Sequence, residues 1–238
     1  MGGDSGRLVR IAPKSFPGEY TVAGKAICPI CEKRRAERYC PAKGEKICAI
    51  DCGTEREVSI DCPSDCAYLL TAHRWERDHA KPIAESEVPF PGVSFPEELV
   101  QTGQSVLSGF VLTTLVYARD RRSLNDADVF VAVQALAETF RTLVSGIYYE
   151  KPPEYPVAAG LYAALAKYIE DEKKREAELP EFAARTNEQF FHLLVLFLRF
   201  GRLRSNGRPR TRSFIEFLRA QFPLEAEKPK EESRIIMP

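Results

Sequence analysis

The stretch CPICEKRRAERYCPAKGEKICAIDCGTEREVSIDCPSDC, residues 28–66, contains all seven cysteines of this 238-residue chain. The cysteines are spaced as Cys28-x2-Cys31-x8-Cys40-x7-Cys48-x3-Cys52-x9-Cys62-x3-Cys66. Zinc takes four ligands in a tetrahedron, and thiolates two or three residues apart can bind one ion from a single turn. Burial as apolar side chains explains one or two cysteines, but not seven at paired spacing. The pattern therefore predicts that all seven are ligands of one or two zinc ions.

A disulfide framework is the alternative use of clustered cysteines. Residues 1–20 carry charges and prolines and lack the continuous apolar stretch of a signal peptide. We therefore expect a cytoplasmic protein in which the thiols stay reduced and bind metal. The longest apolar stretches, residues 106–118 and 190–200, are too short for a membrane span, so no membrane partner is expected.

Local patterns predict the shape of the cysteine-rich part. Cys28-Pro-Ile-Cys31 is typical of a zinc knuckle, and residues 38–48 read as a β-hairpin whose turn contains Gly44. A helix is expected from Pro63 to about His79, with Cys66 near its start, where the helix dipole favours a thiolate. A knuckle, a hairpin and a helix that carries ligands predict a treble-clef-like module.

This run of residues resembles the cross-braced zinc fingers of the HIT and MYND type. In that family the first and third ligand pairs share one zinc, and the second and fourth pairs share another. The resemblance implies one zinc held by Cys28, Cys31, Cys48 and Cys52, and three ligands for a second: Cys40, Cys62 and Cys66. Lys43 stands where the family has the partner of Cys40, so the second site has one ligand fewer than the family pattern.

Several ligand sets remain open from the residues alone. The fourth ligand of a second zinc could be Asp61, Asp65, His73 or water. A single zinc held by Cys28, Cys31, Cys62 and Cys66, with spare thiols, is the simplest alternative. All-thiolate sites are normally structural, whereas an open fourth position would permit catalysis.

Residues 94–223 show helical periodicity. Ser94 and Glu97 predict a capping box for a helix that reaches about Arg119 and breaks near Gly103. Further helix starts are expected at Asn125 or Asp126, at Pro156 and at Thr186, and a last short helix should end at Pro223. The helix that starts at Asn125 or Asp126 is expected to end near Tyr149. The fold class is therefore mainly α: a small zinc module followed by a bundle of about five helices.

Composition suggests the division of the chain. We expect a flexible arm at residues 1–22, a zinc-binding module at 23–80, a proline-containing linker at 81–93, the helical bundle at 94–223 and a mobile charged tail at 224–238.

Charge is balanced overall, with 34 basic and 34 acidic residues, which excludes a globally basic nucleic-acid binder. A local exception is the segment from Gln189 to Ile215, which contains no acid. Its arginines could contact phosphate or nucleic acid: Arg199, Arg202, Arg204, Arg208, Arg210 and Arg212. Alternatively, they pair with acids elsewhere, such as those of residues 170–178.

Motifs of the common enzyme classes are missing from the sequence, and no small-molecule substrate is indicated. The first hypothesis is a non-enzymatic zinc-binding adaptor, in which a structural zinc module and a helical domain bind a protein partner. The second is a regulator that binds nucleic acid through the six arginines. The third is a metalloenzyme with an open zinc position.

Overall fold

The computed structural model describes residues 26–79, 84–178 and 184–224. Its strands and α-helices, in chain order, are β1 Arg38–Cys40, β2 Glu45–Ile47, α1 Ala49–Glu55, α2 Ala67–Asp78, α3 Glu97–Thr102, α4 Gln104–Arg119, α5 Asp126–Val144, α6 Pro156–Ala177, α7 Asn187–Arg204 and α8 Ser213–Gln221. The described part is mainly helical, with one two-stranded sheet, which confirms the predicted fold class at that level.

Three of the sequence-based expectations fall outside the described residues. They are the arm at residues 1–22, the first part of the linker, and the tail beyond residue 224. Within the described ranges, no helix is long and apolar enough to cross a membrane.

The hairpin forms as predicted. β1 and β2 pair antiparallel, with Arg38 opposite Ile47 and Cys40 opposite Glu45. Gly44 has φ +71°, and its N–H donates to the carbonyl of Cys40 at 2.9 Å. This left-handed conformation favours glycine, so the turn residue fixes where the hairpin closes.

Helices α4 to α8 share one apolar core. α5 packs against both α6 and α7, and α8 contacts α4, α5 and α7. The largest side chains that this core buries completely include Phe110, Leu161, Phe190 and Phe214. Burying aromatic and aliphatic side chains of this size stabilises each by roughly 1.5–3 kcal/mol, so this part has a core of its own.

Two of the predicted helix starts are capping boxes. Asn125 accepts from the N–H of Asp128, and Thr186 accepts from that of Gln189. Pro156 is the first residue of α6, as expected, and Gly103 separates α3 from α4.

Three predicted helix limits are wrong. α2 begins at Ala67 rather than at Pro63, because Cys66 is its N-cap residue, with extended backbone at φ −63° and ψ 118°. Ser94 does not cap a helix, because α3 begins at Glu97, after Pro96. The residue before a proline is disfavoured in the α conformation, so Phe95 cannot start the helix. α5 ends at Val144 rather than near Tyr149, because Gly146, at φ +78°, forms a Schellman turn with the preceding residues.

The cysteine-rich part is attached to the helical part through the loop after α7. The buried carboxylate of Glu57 accepts from Asn206 Nδ2 at 2.8 Å and contacts His73 Nε2 at 2.9 Å. The guanidinium of Arg208 donates to the carbonyls of Gly53 and Arg56, at 3.2 and 2.6 Å. Polar contacts with defined geometry therefore set how the two parts meet.

A second buried carboxylate, Asp126, holds α8 against α5. It accepts from the N–H groups of Phe214 and Ile215, at 2.9 and 3.2 Å, and from the hydroxyls of Ser205 and Ser213. Burial raises the pKa of Asp126 to about 6, although these hydrogen bonds act in the opposite direction. The carboxyl is therefore more easily protonated in the folded chain than in the unfolded one.

We expect Asp126 to make the folded state less stable as the pH rises from about 4 to above 6. An aspartate in the unfolded chain ionises near pH 3.9. Below that pH Asp126 is protonated in both states and its contribution to the free energy of unfolding is complete. This contribution is lost as the pH rises through the pKa of the folded state. Relative to Asp126→Asn, the wild-type free energy of unfolding should fall by up to about 3 kcal/mol across this window. Urea unfolding of both proteins at several pH values measures the difference. A pH-independent difference contradicts the assignment, and Asp120→Asn at an exposed position is the control.

Candidate metal centre

A tight turn brings the first two cysteines together. The N–H of Glu32 donates to the carbonyl of Cys28 at 2.8 Å, and the N–H of Cys28 donates to the carbonyl of Arg34 at 2.8 Å. Glu32 lies in the left-handed region at φ 52°, which reverses the chain directly after Cys31. The predicted knuckle is thus formed by backbone hydrogen bonds within residues 28–34.

The start of α1 provides two further ligand groups. Cys48 is the N-cap residue, and its sulfur accepts from the N–H of Asp51 at 3.3 Å. Ile47, fully buried beside Cys28, anchors the end of β2 just before this helix. The hairpin therefore delivers α1 to the knuckle.

These elements assemble a group of four potential ligands: Cys28, Cys31, Cys48 and Asp51. Their ligand atoms all lie within 4.8 Å of one another, close enough to hold a metal ion. Cys28, Cys48 and Asp51 are buried, and Cys31 is half-buried. Three sulfurs and one carboxylate oxygen match the donor set that zinc accepts, at four-coordinate geometry.

The surroundings shift the pKa values of these potential ligands in different directions. Hydrogen bonds from the thiols of Cys31, Cys28 and Cys48 lower the pKa of Asp51 to about 2, so it is a carboxylate at neutral pH. Burial opposes ionisation of Cys28, but donation from the N–H groups of Cys31 and Cys48 lowers its pKa. Burial raises the pKa of Cys48.

Arg34 supplies positive charge at the edge of the group. Its guanidinium lies 3.4 Å from Asp51 Oδ1, and its interaction with Cys48 raises the pKa of Arg34. Three thiolates and a carboxylate around a dication leave two negative charges, so a nearby arginine offsets part of the excess.

The structure assembles three of the four ligands expected for the first site and places Asp51, not Cys52, beside them. Successive residues on a helix diverge by about 100°, so Asp51 and Cys52 of α1 point in different directions. Sequence reasoning missed Asp51. A signal was present, because Cys48-x2-Asp51 repeats the spacing of Cys28-x2-Cys31.

The other predicted thiol ligands lie on separate elements. Cys40 ends β1, Cys52 lies in α1, Cys62 precedes α2 and Cys66 is the N-cap of α2. All are unpaired thiols. The single-zinc alternative, which joins Cys28 and Cys31 to Cys62 and Cys66, is not the group that the structure assembles.

The non-cysteine ligands considered for a second zinc have other positions. His73 contacts the buried Glu57 at 2.9 Å. Asp61 is exposed and pairs with Arg212 at 2.9 Å, and Asp65 is exposed. His73 and Asp61 are therefore already engaged with other side chains.

The six arginines do not form one exposed loop. Arg199, Arg202 and Arg204 lie on α7, and the guanidinium of Arg199 donates to the carbonyls of Pro89 and Phe90. Arg202 and Arg204 lie over aromatic rings, those of Phe130 and of Phe200 and Phe217.

The remaining three arginines follow α7. Arg208 contacts the cysteine-rich part, as described above. Arg212 donates to the carbonyls of Leu124 and Arg122 in addition to its contact with Asp61. The side chain of Arg210 is exposed. Most of these guanidinium groups therefore bind within the protein, and a nucleic-acid contact stays a prediction.

Comparison with protein-family models, curated proteins and solved structures finds no match to this chain. The resemblance of residues 28–66 to cross-braced zinc fingers therefore stays a prediction.

We expect Asp51→Asn to weaken metal binding at the assembled group. Replacing the carboxylate removes a charged oxygen ligand. Changing a residue that only hydrogen-bonds to a ligand lowers metal affinity roughly tenfold to hundredfold, so loss of the ligand itself should lower zinc affinity by at least that much. Competition with a chromogenic chelator measures the zinc released. Asp65→Asn makes the same chemical change at an exposed position of the same module and should bind zinc like the wild type. Equal release from the two variants would show that Asp51 is not a ligand.

Proposed function

We propose that this chain is a non-enzymatic, zinc-binding adaptor, in which a structural zinc module and a helical domain bind a protein partner. The observation that carries the proposal is the buried group of three thiols and a carboxylate. Four protein donors complete a tetrahedral site and leave no position for a substrate, which is typical of structural zinc. Thiolate ligands favour zinc over magnesium or calcium.

The second part of the proposal concerns the surface after α5. Residues 144–155, here called the tyrosine segment, expose Val144, Ile147, Tyr148, Tyr149 and Tyr155. Tyr155 is 75% exposed. Exposed aromatic residues grouped in this way are typical of protein-binding surfaces, because they bury a large area at low entropic cost.

The tyrosine segment is fixed to the helices beneath it. The N–H of Ile147 donates to the carbonyl of Thr142 at 3.0 Å, and the Thr142 hydroxyl contacts the carbonyl of Tyr149 at 3.3 Å. The hydroxyl of Tyr162 on α6 donates to Glu150 at 2.9 Å. A segment held in one conformation loses less entropy when it binds a partner.

A cavity of about 410 Å³ adjoins the tyrosine segment. Val131, Ala135 and Glu138 of α5 form one wall, and Tyr149 and Lys151 form the other. A cavity beside exposed aromatics can receive an anchoring side chain of a partner protein. The nucleic-acid alternative has less support, because Arg199, Arg208 and Arg212 already donate to backbone carbonyls.

Removing the metal should unfold the cysteine-rich part and leave the helical core. Structural zinc contributes on the order of 10–16 kcal/mol, which a short segment with few buried residues cannot replace. Hydrogen exchange with and without chelator should show loss of protection in residues 28–79 and retained protection in α4 to α7. Unchanged exchange in both parts, after complete metal removal, would exclude a structural role for the metal.

The partner surface can be tested with a photo-cross-linking amino acid at Ile147 or Tyr155. The matched control is Leu203, an exposed apolar residue on α7 that is 61% exposed. One protein should cross-link from both segment positions and not from Leu203. After purification, that protein should bind the wild type and Leu203→Ser equally, and bind Ile147→Ser/Tyr148→Ser at least about tenfold more weakly.

Calorimetry of the purified pair makes this test independent of capture from a cell extract. Equal affinity of the wild type and the tyrosine-segment variant, or cross-linking only from Leu203, contradicts the proposed surface.

A further inference from the structure

Four cysteines remain outside the assembled group, and the structure gathers them around one small cavity. Cys40, Cys52, Cys62 and Cys66 line a space of about 10 Å³. Apolar walls come from Ile47, Ile60 and Leu69. A space of this size corresponds to about one water-sized sphere, so it suits a single small ion and not an organic ligand.

Different parts of the module supply these thiols, so their convergence is a property of the fold. Cys40 is the last residue of β1, and Cys52 lies in the second turn of α1. Cys66 is the N-cap of α2, where the dipole of a 12-residue helix favours a thiolate. Cys62 lies in the loop between α1 and α2, so strand, helix, loop and helix start each bring one cysteine to the same cavity.

Arg56 gives an independent indication of anionic ligands. Its side chain lines the same cavity and is 13% exposed. One nitrogen pairs with Glu76 at 3.2 Å, but the buried Nε–H has no hydrogen-bond acceptor within the described part of the chain. Buried donors are nearly always satisfied, and a metal-bound thiolate is an acceptor for such an N–H.

The number of potential ligands also fits two metal sites. With Asp51 as the fourth ligand of the first group, Cys52 is released for the second. Seven cysteines and one carboxylate then make eight ligands, which is the number that two tetrahedral ions require. This assignment differs from the family resemblance, in which Cys52 belongs to the first site and the second lacks a ligand.

We propose that Cys40, Cys52, Cys62 and Cys66 form a second zinc site, so that the module holds two ions with different ligand sets. The proposal rests on the proposed zinc module and extends it. Among the described residues, only the first group has all its ligand atoms within 4.8 Å of one another. Thiolates around tetrahedral zinc lie about 3.8 Å apart, given zinc–sulfur bonds of about 2.3 Å. Binding therefore draws the four sulfurs inward around the cavity.

The test is metal content and ¹¹³Cd NMR of the full chain. Native mass spectrometry should find two zinc ions per chain. After exchange with ¹¹³Cd, two resonances are expected, and the four-thiolate ion should resonate further downfield than the ion with a carboxylate ligand. Cys52→Ser should shift or remove the downfield resonance alone, and Asp51→Asn should affect the other alone.

Several outcomes would overturn the second site. One metal per chain in the wild type does so without any variant, which matters if a cysteine variant fails to fold. Two resonances of which Cys52→Ser perturbs only the upfield one would return Cys52 to the first group. If the chain binds a single ion and Asp51→Asn displaces it, the proposed structural zinc module still stands and only the proposed second site is contradicted. Absence of any bound metal would contradict the proposed function as well.

Discussion

The cysteine-rich part is too small to fold around an apolar core, and this constraint governs its whole construction. Its cluster of buried residues is short: Cys28, Ala36, Cys40, Ile47, Cys48 and Ile60. Half of them are cysteines, so the centre of the module consists largely of potential metal ligands. Where apolar burial is insufficient, a bound metal ion can supply the missing folding free energy. The knuckle, the hairpin and α1 are therefore arranged around ligand atoms.

The helical part, in contrast, has a large apolar core. The two parts contact each other through polar groups. Glu57 is 2% exposed, yet hydrogen bonds from His73 and Asn206 outweigh the effect of burial and lower its pKa. A buried carboxylate is costly unless its oxygens are satisfied, so the relative position of the parts depends on these donors. Arg208 adds donors to backbone carbonyls beside it. Two of the arginines that suggest phosphate binding from sequence, Arg208 and Arg212, therefore contact the cysteine-rich part instead.

Local signals predicted much of the fold. The caps at Asn125 and Thr186, proline at the start of α6, and the glycine turn of the hairpin each satisfy backbone groups within a few residues. Such effects can be read without knowing the tertiary structure. The helix limit after α5 was missed because a Schellman turn depends on Gly146, which lies within an otherwise continuous run of helix-compatible residues.

The potential metal ligands were less predictable than the helices, because a metal site depends on the direction of each side chain as well as on sequence spacing. Cysteine identity marked seven positions, but neighbouring residues on α1 face different ways, and sequence spacing alone did not separate Asp51 from Cys52. The partners of the arginines lie more than 60 residues away in several cases, as in the contact of Arg212 with Leu124. Long-range contacts of this kind have no local signature.

A carboxylate suits the first group because it has two acceptor atoms, whereas a thiolate has one. Asp51 has two oxygens: Oδ2 lies 3.1 Å from the sulfur of Cys28, and Oδ1 lies 3.4 Å from Arg34. One oxygen can therefore bind the ion while the other accepts from the guanidinium, which fixes the ligand and offsets charge. A cysteine at position 51 has a single sulfur and would have to serve both partners with it. The odd number of cysteines is thus consistent with a carboxylate ligand whose second oxygen ties the knuckle to α1 through Arg34.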